Sequence, residues 1–201
     1  SNYYANAMFE DIMVEREGRE GKRTEGMMSK ATRKEIEKWA RTHGMEDFKW
    51  MDPQSIIARQ WVRMKCEFGC PGYGNSHCCP PHAPTPDLTR KVIDSYEKAV
   101  LLHRRLKGGE RAKGFNEAVV RLEVEIFLDG YYKAWSMGSG PCRLCKECEL
   151  TNPCKHGYEA RPSMEACGID VFKTARDNGL PIEVVRTHGE EWNIYGLVLV
   201  E

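Results

Sequence analysis

From Thr32 onward, apolar and polar positions recur with recognisable periods. Ile36, Trp39 and Ala40 lie at helical spacing behind Thr32 and Glu35, a T-x-x-E capping box in which each side chain serves the other's backbone N–H. Gly44 stops that helix. Residues 55–66, SIIARQWVRMKC, alternate in part and predict a strand that carries Cys66 at its end. Thr85 and Pro86 read as an N-cap and first helical residue, with Leu88, Val92 and Tyr96 lining the buried face of a helix over 86–97. KAVLLH, 98–103, predicts a buried strand. Residues 115–136 predict a longer helix with Phe115, Val119, Leu122 and Ile126 facing the core. Pro162 and Ser163 open a further helix running to Asn178, with Gly179 just past its end. IEVVR, 182–186, and IYGLVLV, 194–200, predict an antiparallel pair.

Helices and strands in this order predict an α+β fold: a small sheet with helices packed on it and two cysteine-rich loops. Residues 1–28 are charged and glycine-punctuated and predict a flexible arm with little packing of its own. The opening SNYYANAM reads as partly vector-derived, with Met8 as a native start. Residues 29–201 are then expected to form one cysteine-rich domain. No solenoid-length repeat is visible.

Charge narrows the function classes. Lys and Arg number 30 and so do Asp and Glu, which speaks against a nucleic-acid binder held by its overall field. The basic stretch Arg104, Arg105, Lys107, Arg111 and Lys113 reads as a solvated loop. No apolar run approaches the length of a membrane span, and no charged start leads into one as in a secretory signal. A cytoplasmic protein is expected, with neither membrane nor nucleic acid as partner.

The cysteines change the picture most. There are nine in 201 residues, an odd number confined largely to two patches, in a chain far from the composition of a disulfide scaffold. In the later patch Cys142, Cys145, Cys148 and Cys154 follow a C-x2-C-x2-C-x5-C pattern. A C-x2-C turn aims two thiolates at one place, which suits a metal, and a continuous C-x2-C-x2-C favours a [4Fe-4S] cluster over tetrahedral zinc. Disulfide pairing and simple packing are the plainer readings. Arg143, Lys146, Lys155 and Arg161 would favour an anionic centre, as would the start of the helix expected at 163, although solvation explains each basic residue alone.

The earlier patch supplies Cys66, Cys70, Cys78 and Cys79, with His77 and His82 nearby. Adjacent Cys78 and Cys79 can hardly both serve one ion, and the rigid Cys79-Pro80-Pro81 makes Cys79 the expected ligand and Cys78 a bystander. Either the patches form separate centres, or Cys154 joins Cys66, Cys70 and Cys79 and leaves Cys142, Cys145 and Cys148 around a cluster with one open iron. Cys167 reads as a buried packing residue. His156 and His188 are candidate ligands with ordinary surface or capping roles as the simpler reading, and Tyr73, Trp135 and Trp192 could cover a cofactor or merely pack.

Two longer motifs carry a resemblance. C-x3-C-P-x-Y-G-x4-C-P-P spans Cys66 to Pro81, and G-P-C-x2-C-x2-C-x5-C followed by A-R-P-S-M-E-A-x-G-I-D-V spans Gly140 to Val171. In these the chain resembles the family of predicted metal-binding proteins labelled domain of unknown function 2284. The resemblance implies metal binding, with an iron–sulfur centre as the expected form, and it implies Cys66, Cys70, Cys79, Cys142, Cys145, Cys148 and Cys154 as ligands. It supplies no reaction. The function readings are therefore an electron-transfer protein with a redox partner protein, an enzyme with an open cluster iron, a zinc-binding structural or partner-binding module, and a thiol redox sensor.

Overall fold

The computed structural model describes residues 7–20, 30–45 and 47–201. Its elements are helix α1 (Ala7–Glu20), α2 (Arg33–Thr42), strand β1 (Asp47–Met51), α3 (Gln60–Gly69), α4 (Pro86–Ile93), β2 (Ala99–Leu106), α5 (Phe115–Leu128), β3 (Trp135–Met137), α6 (Val171–Asp177) and β4 (Trp192–Leu199). The strands form one antiparallel sheet in the order β1-β2-β4-β3, so the expected α+β class holds.

β2 and β4 occupy the middle of the sheet, with Leu101 opposite Leu197 and Val100 opposite Val198. Both faces are covered, so the central run AVLL is continuously apolar and not alternating. Val100, Leu102, Ile194 and Val198 pack with Ile36 and Ala40 of α2 and Phe115, Val119, Leu122 and Ile126 of α5. Leu101, Tyr195, Leu197 and Leu199 pack on the other side with Ile93, Met164, Cys167, Ile169 and Ala175.

Local signals set several boundaries. Thr32 and Glu35 form the capping box, with the Thr32 N–H donating to the Glu35 carboxylate at 2.7 Å. Thr85 caps α4 by accepting from the Leu88 N–H at 3.3 Å, with Pro86 following it. The buried side of α4 is formed by Thr89 and Ile93, whereas Leu88 is 51% exposed.

Other expectations give way. Residues 60–69 form a helix and not a strand, because Gln, Arg, Met, Lys and Glu are good helix formers. Trp61 and Met64 are exposed on that helix and are not buried on a sheet face as a strand would have had them. The helix expected over 115–136 ends at Leu128, and the chain then forms β3. The helix expected from 163 to 178 begins only at Val171, with Asp170 accepting from the Lys173 N–H at 2.9 Å. Gly168 interrupts it: its φ is +78°, and a Cβ there would lie 2.3 Å from Pro86 Cγ. Residues 182–186 form no strand, and Val184 and Val185 are exposed; β4 pairs instead with β2 and β3.

Within the stretch read as an arm, Ala7–Glu20 is a helix whose Ile12 is fully buried against Val120 and Val124 of α5. The expectation of little packing does not hold for those residues, and 1–6 and 21–28 lie outside the described residues. Among the described residues, no helix is long and apolar enough to cross a membrane.

One buried network ties the frame to the later cysteine loop. The Glu123 carboxylate of α5 is fully buried and accepts from the Ser136 N–H at 2.9 Å, the Ser136 hydroxyl, Arg161 Nε at 2.8 Å and Arg161 Nη2 at 2.7 Å. Removing one partner of such a pair leaves a buried charge uncompensated. Glu123→Ala should therefore cost about 3–5 kcal/mol of unfolding free energy in urea titrations, and a loss under about 1 kcal/mol would refute that role for the network.

Candidate metal centre

The first loop is built from the end of α3. Cys66 lies in its last turn and Cys70 is its C-cap, with the Cys70 N–H donating to the Cys66 carbonyl at 3.3 Å. An i, i+4 spacing places both on one side of the helix. The chain then folds back: the Tyr73 N–H reaches the Cys70 carbonyl at 3.1 Å, and the Gly74 N–H reaches the Pro80 carbonyl at 2.7 Å. That closure returns Cys79 to the Cys66 side, where Cys70, Glu165 and Cys79 all act on the Cys66 thiol. Burial first, and then these neighbours, push that thiol up from its ordinary range.

Glu165 has the signature of a group short of a partner. It accepts from Ser163 and from its own N–H, yet its Oε2 is buried with no hydrogen-bond partner. Burial pushes its carboxyl group up.

The second loop leaves the sheet at Gly138 and returns at Ser163, where the two segments form a bridge. The Gly138 N–H donates to the Pro162 carbonyl and the Met164 N–H to the Gly138 carbonyl, each at 3.0 Å. Asn116 of α5 holds the next residue reciprocally, accepting from the Ser139 N–H at 2.8 Å and donating to the Ser139 carbonyl at 2.9 Å. Between these ties the chain runs in turns and bends.

Five thiols line one cavity of about 470 Å³: Cys142, Cys145, Cys148 and Cys154 from this loop, and Cys78 from the first. The Cys78 thiol donates to the Cys142 sulfur. That bond, reinforced by the Leu144 N–H and by His156, lowers the Cys142 thiol to about 6, and the same bond together with burial pushes Cys78 up.

The candidate residues thus fall into two groups. Cys66, Cys70 and Cys79 gather at the end of α3, and Cys142, Cys145, Cys148 and Cys154 gather around the cavity. Cys154 lies with the second group and not with the first, against the bridging arrangement. Cys78, expected to be a bystander, lines the cavity, because spacing alone cannot show which way two adjacent side chains turn.

His156, Lys146 and His77 line the cavity as well; His82 is exposed beside it, its ring centroid 6.0 Å from that of His77, and His188 is exposed elsewhere. Arg143 lines a larger neighbouring cavity of about 1030 Å³, and so does Trp192. Arg161 is taken up by Glu123 and lies over the Trp135 ring at 4.4 Å, so its charge is already balanced. No helix begins at 163 to point at the site. Cys167 sits in the core, and burial pushes its thiol up to about 12. All nine cysteines are free thiols, and among the described residues no three His, Cys, Asp or Glu side chains converge closely enough to hold a single ion.

A family described as predicted metal-binding protein (DUF2284) matches residues 49–200. No curated protein and no solved structure matches the chain significantly.

The thiol environments predict a labelling order. In the metal-free protein, alkylation of Cys142 should reach half its maximal rate near pH 6, since the lowered thiol is already thiolate above that point. Cys78→Ala removes the donor and should move that midpoint up toward the ordinary thiol value of about 8.5. Cys167 should stay unlabelled until the protein unfolds. Site-resolved mass spectrometry reads all three, and a Cys142 midpoint near the ordinary value in the unmutated chain would disprove the Cys78 contact.

Proposed function

The chain belongs to this DUF2284 family of predicted metal-binding proteins, and from that premise we propose that it carries one or two [4Fe-4S] clusters in electron transfer or cluster-based redox chemistry. The observation that carries the reading is the shape of the thiol arrangement. Five thiols surround one cavity, and among the described residues no three His, Cys, Asp or Glu side chains meet at a point. A single zinc ion needs its donors converging at about 2.0–2.3 Å. A cluster presents several irons and takes its thiolates around a volume.

The residues present suit such a group. Cys142, Cys145, Cys148 and Cys154 would hold it in the second loop, and Cys66, Cys70 and Cys79 would serve a centre at the end of α3. That second centre has three thiols, and the buried, unpartnered Oε2 of Glu165, whose carboxylate acts on Cys66, is a suitable non-thiol donor beside them. When bound, a cluster supplies a reversible one-electron acceptor. The protein's own part is to hold the thiolates, to set Lys146 and the His156 ring against an anionic group, and to limit water with Leu144 and Leu150. Both leucines are partly exposed at the same cavity, and they offer a surface that a redox partner protein would cover. Nine unpaired thiols suit a reducing compartment such as the cytoplasm.

Purification without oxygen, with iron, acid-labile sulfide and zinc measured per chain, tests the reading. A brown protein with matched iron and sulfide, about four per cluster, is expected. A colourless chain that retains zinc through the same procedure would replace it with a zinc-binding structural or partner-binding module.

A further inference from the structure

Cys78 and Cys79 are neighbours in sequence that part company in space. Cys79 acts on the Cys66 thiol and is not among the residues that line the second loop's cavity, whereas Cys78 lines it. We infer that Cys78 is a metal ligand of the second loop's centre, one of the four thiolates that a cluster would draw from the five around that cavity and so in place of one of the loop's own, and that His77 is the positioning residue that brings it across the interface between the loops. The inference rests on the metal-binding reading and adds a ligand outside the family motif.

The plain alternative is that Cys78, 7% exposed, is a small packing residue. Its surroundings argue otherwise. Cys167, a true packing cysteine, belongs to the apolar core among Leu101, Met164 and Ile169, but Cys78 belongs to none of the apolar clusters. Its thiol meets the Cys142 sulfur, and it shares its cavity with the thiols of Cys145, Cys148 and Cys154. Buried sulfur that faces four other sulfurs across a cavity has the chemistry of a soft-metal site.

His77 explains how the loops come together. Its Nε2 lies 2.9 Å from the Glu149 carbonyl and 3.0 Å from the Asn152 carbonyl. Carbonyl oxygens only accept, so this nitrogen carries a proton and bridges both. The two carbonyls lie on the chain between Cys148 and Cys154, so the ring draws that segment onto the residue preceding Cys78. The Cys78 N–H is in turn fixed at 3.2 Å on the Ser76 hydroxyl. On metal binding, Cys78 loses its proton to solvent and the bond to Cys142 gives way to two metal–sulfur bonds.

Cobalt(II) titrated into the metal-free chain tests this without assuming which metal is native, because its thiolate charge-transfer absorption scales with the number of sulfur ligands. Iron and sulfide reconstitution provides a second reading. Cys78→Ser should weaken or shift the cobalt band and lower the iron retained, while Cys167→Ala should match the unmutated chain. His77→Ala should release metal faster with Cys78 still present, and His77→Gln, which keeps an N–H donor, should recover part of the loss. Thermal melts of the metal-free variants identify any that fail to fold; if Cys78→Ser does, Cys78→Ala under the same titration decides. A folded Cys78 variant with the same band, stoichiometry and metal retention as the unmutated chain would overturn the inference while leaving metal binding intact. An unmutated chain that takes up neither cobalt on thiolates nor iron would overturn both.

Discussion

The Glu123 carboxylate holds the second cysteine loop to the rest of the molecule. It lies fully buried in α5 and accepts from Ser136 where the chain leaves the sheet and from Arg161 just before it returns. Both ends of the loop are thereby fixed to one side chain. A fully satisfied buried pair of this kind is costly to break, on the order of several kcal/mol, whereas an exposed pair such as Lys173 with Asp177 contributes less than about 1 kcal/mol. Asn116, on the same helix, adds a second tie at Ser139. A segment without regular hydrogen bonding can hold thiols in place only if its ends are fixed in this way.

The first loop solves the same problem differently. Its start is an α-helix, which fixes Cys66 and Cys70 by backbone geometry, and Arg63 secures that helix by donating to the carbonyls of Ala83, Pro84 and Ala166. Its return is fixed by the Gly74 contact to Pro80. His77 then joins the loops in the middle, away from both anchors. The sheet and its helices therefore act as a frame with two anchored loops, and the candidate ligand thiols lie on those loops and at the end of α3 rather than on the sheet. This division lets the sheet keep an apolar core on both faces while the chemistry stays near water.

Where chemistry was local, the sequence was legible. The Thr32 and Glu35 cap, the Thr85-Pro86 start, the buried strand after Lys98 and the core stripe of Phe115, Val119, Leu122 and Ile126 all depend on neighbours within a turn or two. Elements that depend on distant partners are not legible in the same way. Residues 55–66 alternate in part like a strand, but they run into α3, on which Trp61 and Met64 stay exposed. IEVVR has the composition of a strand and finds no partner, while β1, with its mixed Asp47–Met51 sequence, is drawn into the sheet by β2. The thiol spacing identified the two loops as candidate sites, but Cys78 became visible only when the loops were seen against each other.

That adjacency has a consequence for the proposed redox role. Consecutive Cα atoms stand about 3.8 Å apart, so two centres drawing ligands from Cys78 and Cys79 would be held close by a single peptide unit. A structural zinc module has no need of such closeness, since each ion folds its own loop. Stepwise passage of electrons does need it, because transfer weakens steeply with distance. The peptide linking Cys78 to Cys79 is also short and stiff, and its partial double bond resists twisting. Movement of one centre would therefore be felt at the other. The dipeptide that looked like a redundancy in the sequence thus becomes the element that would set the distance between the two centres.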